Sequence, residues 1–278
     1  MTSFLDDVTH PKGSIRLAMR LILITLVSLL IIPVLYLSLK LKLPSSRWLP
    51  LVFHRCMRWI IGIKVTVVGQ ASVDRPMLIL SNHVSWLDIV VIGSVMPLSF
   101  IAKNEILAMP VFGFMAKLQR SIFVNRTRRA ETGKANAEIA ARLEEGDPIV
   151  LFAESTTSDG NRILPFRSAL VGAARDSIVS GSTTTHVCLQ PMALAYHGAD
   201  GLPTGRMGRA RIGWYGDMEM GAHLTGILRG GPLDVTLRFG TPLAYDKDAD
   251  RKSQTKTAEN EVRLMLAEGL TGRVPARA

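Results

Sequence analysis

The chain has 278 residues, a formal charge of +10 and 47% hydrophobic residues, with a mean hydropathy of +0.23. That length allows one large domain or two small ones, and an apolar share high for a soluble protein points to membrane contact. The basic balance attracts nucleic acid, anionic lipid or acidic small molecules without distinguishing them. Cys56 and Cys188, far apart and with no C-x-x-C, argue against a disulfide framework or a zinc site and fit a reducing compartment.

Residues 1–14 are polar and read as a segment ordered late or not at all. Leu21 to Leu39 carries no charge, close to the ~20 residues a membrane-spanning helix needs. Arg16 and Arg20 precede the run and Lys40, Lys42 and Arg47 follow it, which leaves its orientation undecided. The run is too long for a signal peptide, and no small-residue cleavage site follows it. Pro33 would kink it, so a span and a hairpin dipping into one leaflet both fit.

Leu49 to Ile63 is a second membrane candidate. His54, Arg55 and Arg58 fall on one helical face, apolar residues cover most of the rest, and Trp48 and Trp59 sit near the ends. The alternative is an amphipathic helix packed on the domain itself. Residues 15–63 are read as membrane-attachment helices, 64–270 as one catalytic-size domain, and 271–278 as a disordered tail.

After Gly62 the texture changes. Lys64–Val68 alternates as a strand, and Met77–Leu80 is a short buried strand that runs into a polar turn and then a helix through Ile89–Ile92. Leu98–Ala102, Ser121–Val124 and Ile149–Phe152 read as further strands. Pro110 and Gly113 punctuate helical pieces up to Leu118. Ala130–Glu145 is an alanine-rich helix stopped by Gly146 and Asp147-Pro148. Ser168–Val179 reads as a helix and Val187–Ala195 as a strand broken at Pro191. The glycine-rich stretch 197–231 has no clear periodicity; Leu233–Phe239 is a late strand and Ala258–Gly269 a helix. Strands alternating with helices predict an α/β fold, a mixed and largely parallel sheet flanked by helices.

The chemistry centres on Ser81-Asn82-His83-Val84-Ser85-Trp86-Leu87-Asp88. A polar turn between a strand and a helix sits at a sheet edge, where α/β proteins bind ligands. On one continuous helix His83 and Asp88 would point about 140° apart. They meet only if His83 lies in the turn and Asp88 in the first helical turn, with Ser85 as N-cap. A plainer reading makes Asp88 a capping-box carboxylate and His83 a half-buried loop histidine. Polar residues also follow other strands: Lys103 and Glu105, Arg126, and Glu154-Ser155-Thr156-Thr157-Ser158-Asp159-Gly160. No G-x-S-x-G elbow, H-E-x-x-H, Walker loop or G-x-G-x-x-G accompanies them.

These blocks resemble the lysophospholipid (1-acylglycerol-3-phosphate) acyltransferases over roughly residues 60–195. Asn82, His83, Ser85 and Asp88 match that family's N-H-x-S-x-x-D in full. Lys103, Glu105, Pro110 and Gly113, ending in Phe123-Val124-Asn125-Arg126, match its second block in part. The third block, F-P-E-G-T-R-S, reads Phe152-Ala153-Glu154-Ser155-Thr156-Thr157-Ser158, and the fourth, a proline in a late strand, is Gln190-Pro191-Met192. Ala153, Ser155 and Thr157 depart from the family's proline, glycine and arginine, and Arg120 stands where a small residue is usual. The Thr-Thr-Ser-Asp-Gly continuation looks like the lyso-ornithine lipid acyltransferase branch, whose acceptor lacks phosphate.

The resemblance implies a glycerolipid acyltransferase fold and an O-acyltransferase. It would move a fatty acyl chain from an acyl thioester, on acyl carrier protein or coenzyme A, to a lysolipid hydroxyl. The expected acceptor is 1-acylglycerol-3-phosphate, with lyso-ornithine lipid next. His83 would be the general base and Asp88 its orienting carboxylate, the triad logic with the substrate hydroxyl in the place of serine. Asn82, Lys103, Arg126, Glu154, Ser155, Thr156 and Arg167 are expected to bind substrate, with Arg162 another source of positive charge, and Arg128 and Arg129 to meet solvent or lipid headgroups. No metal and no cofactor beyond the thioester co-substrate is implied. The expected setting is an anionic membrane surface, a bacterial inner membrane with the site on its cytoplasmic side. Two other classes compete: a non-catalytic lipid-binding protein, given the altered third block, and a basic nucleic-acid binder, against which stand few aromatics and no recognised module.

Overall fold

The computed structural model describes residues 11–124, 129–169, 171–172 and 186–271. Two helices, α1 (Pro11–Lys40) and α2 (Ser45–Ile61), precede the sheet. Then come β1 (Ile63–Val68), β2 (Met77–Ser81), α3 (Leu87–Gly93) and β3 (Ser99–Lys103). A 3-10 turn (Asn104–Ala108) leads into α4 (Pro110–Leu118), β4 (Ile122–Val124), α5 (Arg129–Glu144) and β5 (Ile149–Phe152). The chain ends with β6 (His186–Ala199), β7 (Leu202–Pro203), α6 (Arg206–Ile212), α7 (Met220–Arg229), β8 (Leu233–Phe239), β9 (Leu243–Asp246) and α8 (Arg251–Leu270).

The sheet runs β1-β8-β6-β2-β5-β3-β4, with β7 and β9 pairing β6. β6, β2, β5, β3 and β4 are mutually parallel, as are β1 and β8, and β8 joins β6 antiparallel. β2 and β5 are buried at every position, which is why they read as unbroken apolar runs rather than alternating ones. Met77 and Ile79, Val150 and Phe152, and Met192, Leu194 and Tyr196 face one layer, against α2 and α3. Leu78 and Leu80, Leu151, and Val187, Leu189 and Ala193 face the other, against α5 and α8. The parallel strands carry the ends of β2, β5 and β3 to one edge.

Several expectations change. β6 is continuous through Pro191, because there it exchanges one antiparallel partner for another. Leu189 still pairs β9, Met192 already pairs β8, and the Pro191 carbonyl accepts the Gly240 amide at 2.9 Å. A proline is tolerated at such a break because its missing N–H is not called on. The stretch 197–231 contains the end of β6 and the helices α6 and α7. α8 begins at Arg251, N-capped by Asp250 accepting the Ser253 amide at 2.7 Å. Residues 11–14, read as polar tail, already belong to α1, whose helical run continues through Pro33. Residues 1–10, 272–278 and most of the helix expected over 168–179 lie outside the described residues.

α2 packs on the domain along one face. Its 17 residues bury Leu51, Phe53, His54, Met57 and Ile60 against the domain. His54 points inward, Nε2 2.8 Å from Gln119 Oε1, and a side chain at Gly93 would collide with its ring. Burial pulls His54 down to about 4, so the ring is neutral. Trp48, Val52 and Trp59 remain on the outer face. Among the described residues only α1 is long and apolar enough to cross a membrane.

Candidate active site

β2 ends at Ser81, and residues 82–85 form an extended turn before α3. The turn is held from three sides. The Asn82 carboxamide pairs with the Leu194 backbone on β6, accepting its amide at 2.8 Å and donating to its carbonyl at 3.0 Å. The His83 carbonyl accepts both the amide (2.9 Å) and the hydroxyl (3.2 Å) of Ser158. The Val84 carbonyl accepts the Trp214 amide at 2.9 Å.

Asp88 lies in the first turn of α3, fully buried. Its Oδ2 accepts three N–H groups: His83 Nδ1 at 2.7 Å, Val84 N at 2.6 Å and Ser85 N at 3.0 Å. Oδ1 accepts the Tyr196 hydroxyl at 2.8 Å. One carboxylate thus holds the backbone amides ahead of α3 and the His83 ring together. Ser85 contributes its carbonyl to the Asp88 amide (3.0 Å), while its buried hydroxyl has no partner among the described residues. The N-cap is Trp86.

A carboxylate gathering N–H donors is an acceptor, so Nδ1 donates its proton to it, and in the neutral ring the lone pair then falls on Nε2. Among the described residues Nε2 has no hydrogen-bond partner, and the side chain is 20% exposed. The ring stacks on Phe152, centroids 3.8 Å apart and planes 13° from parallel, and Phe152 stacks in turn on Phe100. An imidazole fixed in plane and tautomer, with one nitrogen open, can take a proton from a hydroxyl brought against it.

Glu154 follows β5 at the same edge. It is 3% exposed, Oε1 lies 3.4 Å from the His83 amide, and Oε2 is buried without a hydrogen bond of normal length. Burial pushes its carboxyl up to about 8, against weaker opposing pulls from the amides of His83 and Leu164. Ser155 has φ +67° and Arg120 φ +58°, the left-handed region that favours glycine. Both departures from the family pattern thus fall where the backbone itself calls for a small residue. Ala153, in the place of a proline, uses its N–H on the Ser81 carbonyl at 3.1 Å, a bond proline cannot make.

Thr156, Arg162 and Arg167 are exposed in the same loop and Lys103 is exposed at the end of β3. Asn82, expected to touch substrate, is 1% exposed and committed to Leu194, so it holds the turn instead. Arg126 and Arg128 lie outside the described residues. Sequence reading missed three contributors: Phe152 as the stacking floor, Ser158 as the carbonyl clamp and Tyr196 as the second partner of Asp88. Phe152 and Ser158 were visible as block positions without a role. For Tyr196 the signal was a tyrosine on a buried strand, whose hydroxyl requires a partner.

Residues 64–195 match the family model Acyltransferase. The chain is 46% identical over 261 residues to the lyso-ornithine lipid O-acyltransferase of Brucella abortus, covering 94% of this chain and 97% of that one. It is 42% identical to the protein of the same name from Rhizobium meliloti, covering 93% and 88%. It is 31% identical to the 1-acyl-sn-glycerol-3-phosphate acyltransferase of Neisseria gonorrhoeae, covering 72% and 74%. The crystal structure of the 1-acyl-sn-glycerophosphate acyltransferase from Thermotoga maritima superposes with a TM-score of 0.65 at 17% identity, over 95% of this chain and all of that one, so the fold is shared. The chain belongs to the lysolipid acyltransferase family and is an acyltransferase of the lysophospholipid type.

Proposed function

We propose that the chain acylates the free hydroxyl of lyso-ornithine lipid at a membrane surface, using an acyl thioester of acyl carrier protein or coenzyme A. The observation that carries the reaction is the His83 ring, bonded to Asp88 through Nδ1 at 2.7 Å and open at Nε2. His83 Nε2 takes the acceptor's hydroxyl proton as its oxygen attacks the thioester carbonyl. The tetrahedral intermediate collapses with cleavage of the C–S bond, and the imidazolium returns the proton to the departing thiolate. Asp88 holds the tautomer and stabilises the imidazolium. No acyl-enzyme is required, and neither Cys56 nor Cys188 has a part.

The acceptor is argued from similarity over nearly the whole chain and from one position. Thr157 stands where a phosphate-binding arginine is expected from the family pattern, and ornithine offers an amine and a carboxylate instead of a phosphate. Relatives named for 1-acyl-sn-glycerol-3-phosphate at 31% identity support the second reading. A panel of both lysolipids with both thioesters, products identified by mass, separates them. Lyso-ornithine lipid is expected to be turned over at least about tenfold faster, a difference of ~1.4 kcal/mol. Thr157→Arg is expected to narrow that ratio. Equal or faster use of 1-acylglycerol-3-phosphate by the unaltered protein rejects the first reading.

Membrane attachment is assigned to α1. One stripe, Leu17, Arg20, Ile24, Val27, Ile31 and Leu35, meets the domain, while Ile22, Leu26, Leu29, Leu30 and Leu37 are exposed. Arg20 is bonded to α7, and Ser38 Oγ lies 2.6 Å from Ser45 Oγ. A helix tied to its own domain at points about 27 Å apart along its axis lies on the membrane, its apolar face in one leaflet. The site is read as facing the cytoplasm, where acyl thioesters are made.

A further inference from the structure

Tyr196 lies outside every sequence block, and its side chain is buried between β6 and α3, 2% exposed. The two oxygens of Asp88 are loaded unequally. Oδ2 accepts three N–H groups, including the imidazole, whereas Oδ1 has the Tyr196 hydroxyl alone, at 2.8 Å. Asp88 is wholly shielded from solvent, so no water stands ready to replace that donor if it is removed. β6 thus grips the catalytic turn twice, through Leu194 on Asn82 and through Tyr196 on Asp88.

We propose that Tyr196 is a positioning residue that sets the proton affinity of the catalytic imidazole, by donating a hydrogen bond to the far oxygen of Asp88. This rests on the reading of His83 as the base. A donor on Oδ1 draws charge from the carboxylate and weakens its hold on an imidazolium, so the ring stays unprotonated to lower pH. The same bond fixes the carboxylate plane that Oδ2 presents to Nδ1. The phenol keeps its proton throughout, because burial and then the Asp88 charge push its ionisation well above the usual tyrosine range. Among the described residues the ionisable groups facing the pair are Tyr196 from β6 and Glu154 from the loop after β5, with Arg263 of α8 acting on Glu154 from farther away. Burial holds the Glu154 carboxyl up at about 8, so it stays neutral through the acidic range in which the limb is read.

The test is kcat/KM against pH for the full chain in mixed micelles, with whichever acceptor is turned over fastest. The variants are Tyr196→Phe, His83→Ala, and a protein carrying 3-fluorotyrosine at position 196, a stronger donor of nearly the same size. Tyr196→Phe is expected to move the acid limb upward by about half to one pH unit, and the fluorinated residue to move it the other way. A tyrosine that only fills space would change thermal stability and leave the limb in place. Folded variants with the unaltered acid limb overturn the proposal. If Tyr196→Phe does not fold, the fluorinated protein decides alone, an unmoved limb again being the contrary result. Appreciable turnover by His83→Ala would instead sink the base reading, a failure separate from that of Tyr196.

Discussion

Glu154 shows how one buried side chain ties stability to pH. Its carboxyl ionises near 8 in the folded protein against an ordinary 4.5. Below about pH 4.5 it is neutral in both folded and unfolded chains; between there and pH 8 only the unfolded chain gives up the proton. The folded state then binds more protons, so this group's contribution to stability is full at low pH and drains away as pH rises through that window. Glu154→Gln, neutral at every pH, is expected to flatten the fall in melting temperature between about pH 5 and 8. Parallel curves for the two proteins would mean that the carboxyl is ionised in the fold. Arg120 illustrates a different balance. Its left-handed backbone costs on the order of 1 kcal/mol, and its guanidinium binds Asp147 at 2.6 Å and Glu145 at 3.0 Å, tying the end of α4 to the start of β5.

α7 stands between the long apolar α1 and the turn that carries His83. Arg20 of α1 donates to the carbonyls of Leu228 (3.0 Å) and Gly230 (2.8 Å) at the C-terminal end of α7, where unpaired carbonyls need donors. From the same helix the His223 Nδ1 accepts the Trp86 indole N–H at 3.0 Å, three residues past His83. Arg20→Ala removes the only side-chain donor to those two carbonyls among the described residues and is expected to cost about 1–3 kcal/mol. Denaturant melts in detergent would register it as a lowered midpoint; an unchanged midpoint would show that α7 holds without the Arg20 bonds. The two short helices were not legible in the sequence, because Gly208 interrupts α6 and Gly221 and Gly226 interrupt α7. β2 and β5 were legible for the opposite reason: covered on both faces, they carry little but apolar residues.

Across the fold, what local patterns encode is legible in the sequence, and what only tertiary contact creates is not. The strand–turn–helix around His83, the parallel ends of β2 and β5, and the apolar α1 follow from hydrophobic runs and polar turns. In α2 the sequence leaves two readings open because an inward histidine and an outward one look alike in a helical projection; His54 turns inward, into the space that Gly93 leaves and onto Gln119. Tyr196 sits more than a hundred positions from Asp88, beyond the reach of any spacing rule. In the proposed attachment α1 sets the α/β domain against a membrane, with the His83 imidazole at the sheet edge. On that architecture, binding to vesicles is expected to persist in high salt, since apolar burial is not screened as charge pairing is. Flotation that is lost at 1 M salt would assign the attachment to charge alone.

The proposed reaction has His83 remove the proton from the lysolipid hydroxyl. It is tested most directly by acyl transfer from a thioester to lysolipid, with product measured by mass, for the unaltered chain and for His83→Ala with the same melting behaviour. Loss of rate by a factor of about 10²–10⁴ is expected, the range general-base assistance supplies. A folded His83→Ala protein that transfers acyl groups at near the original rate would contradict it.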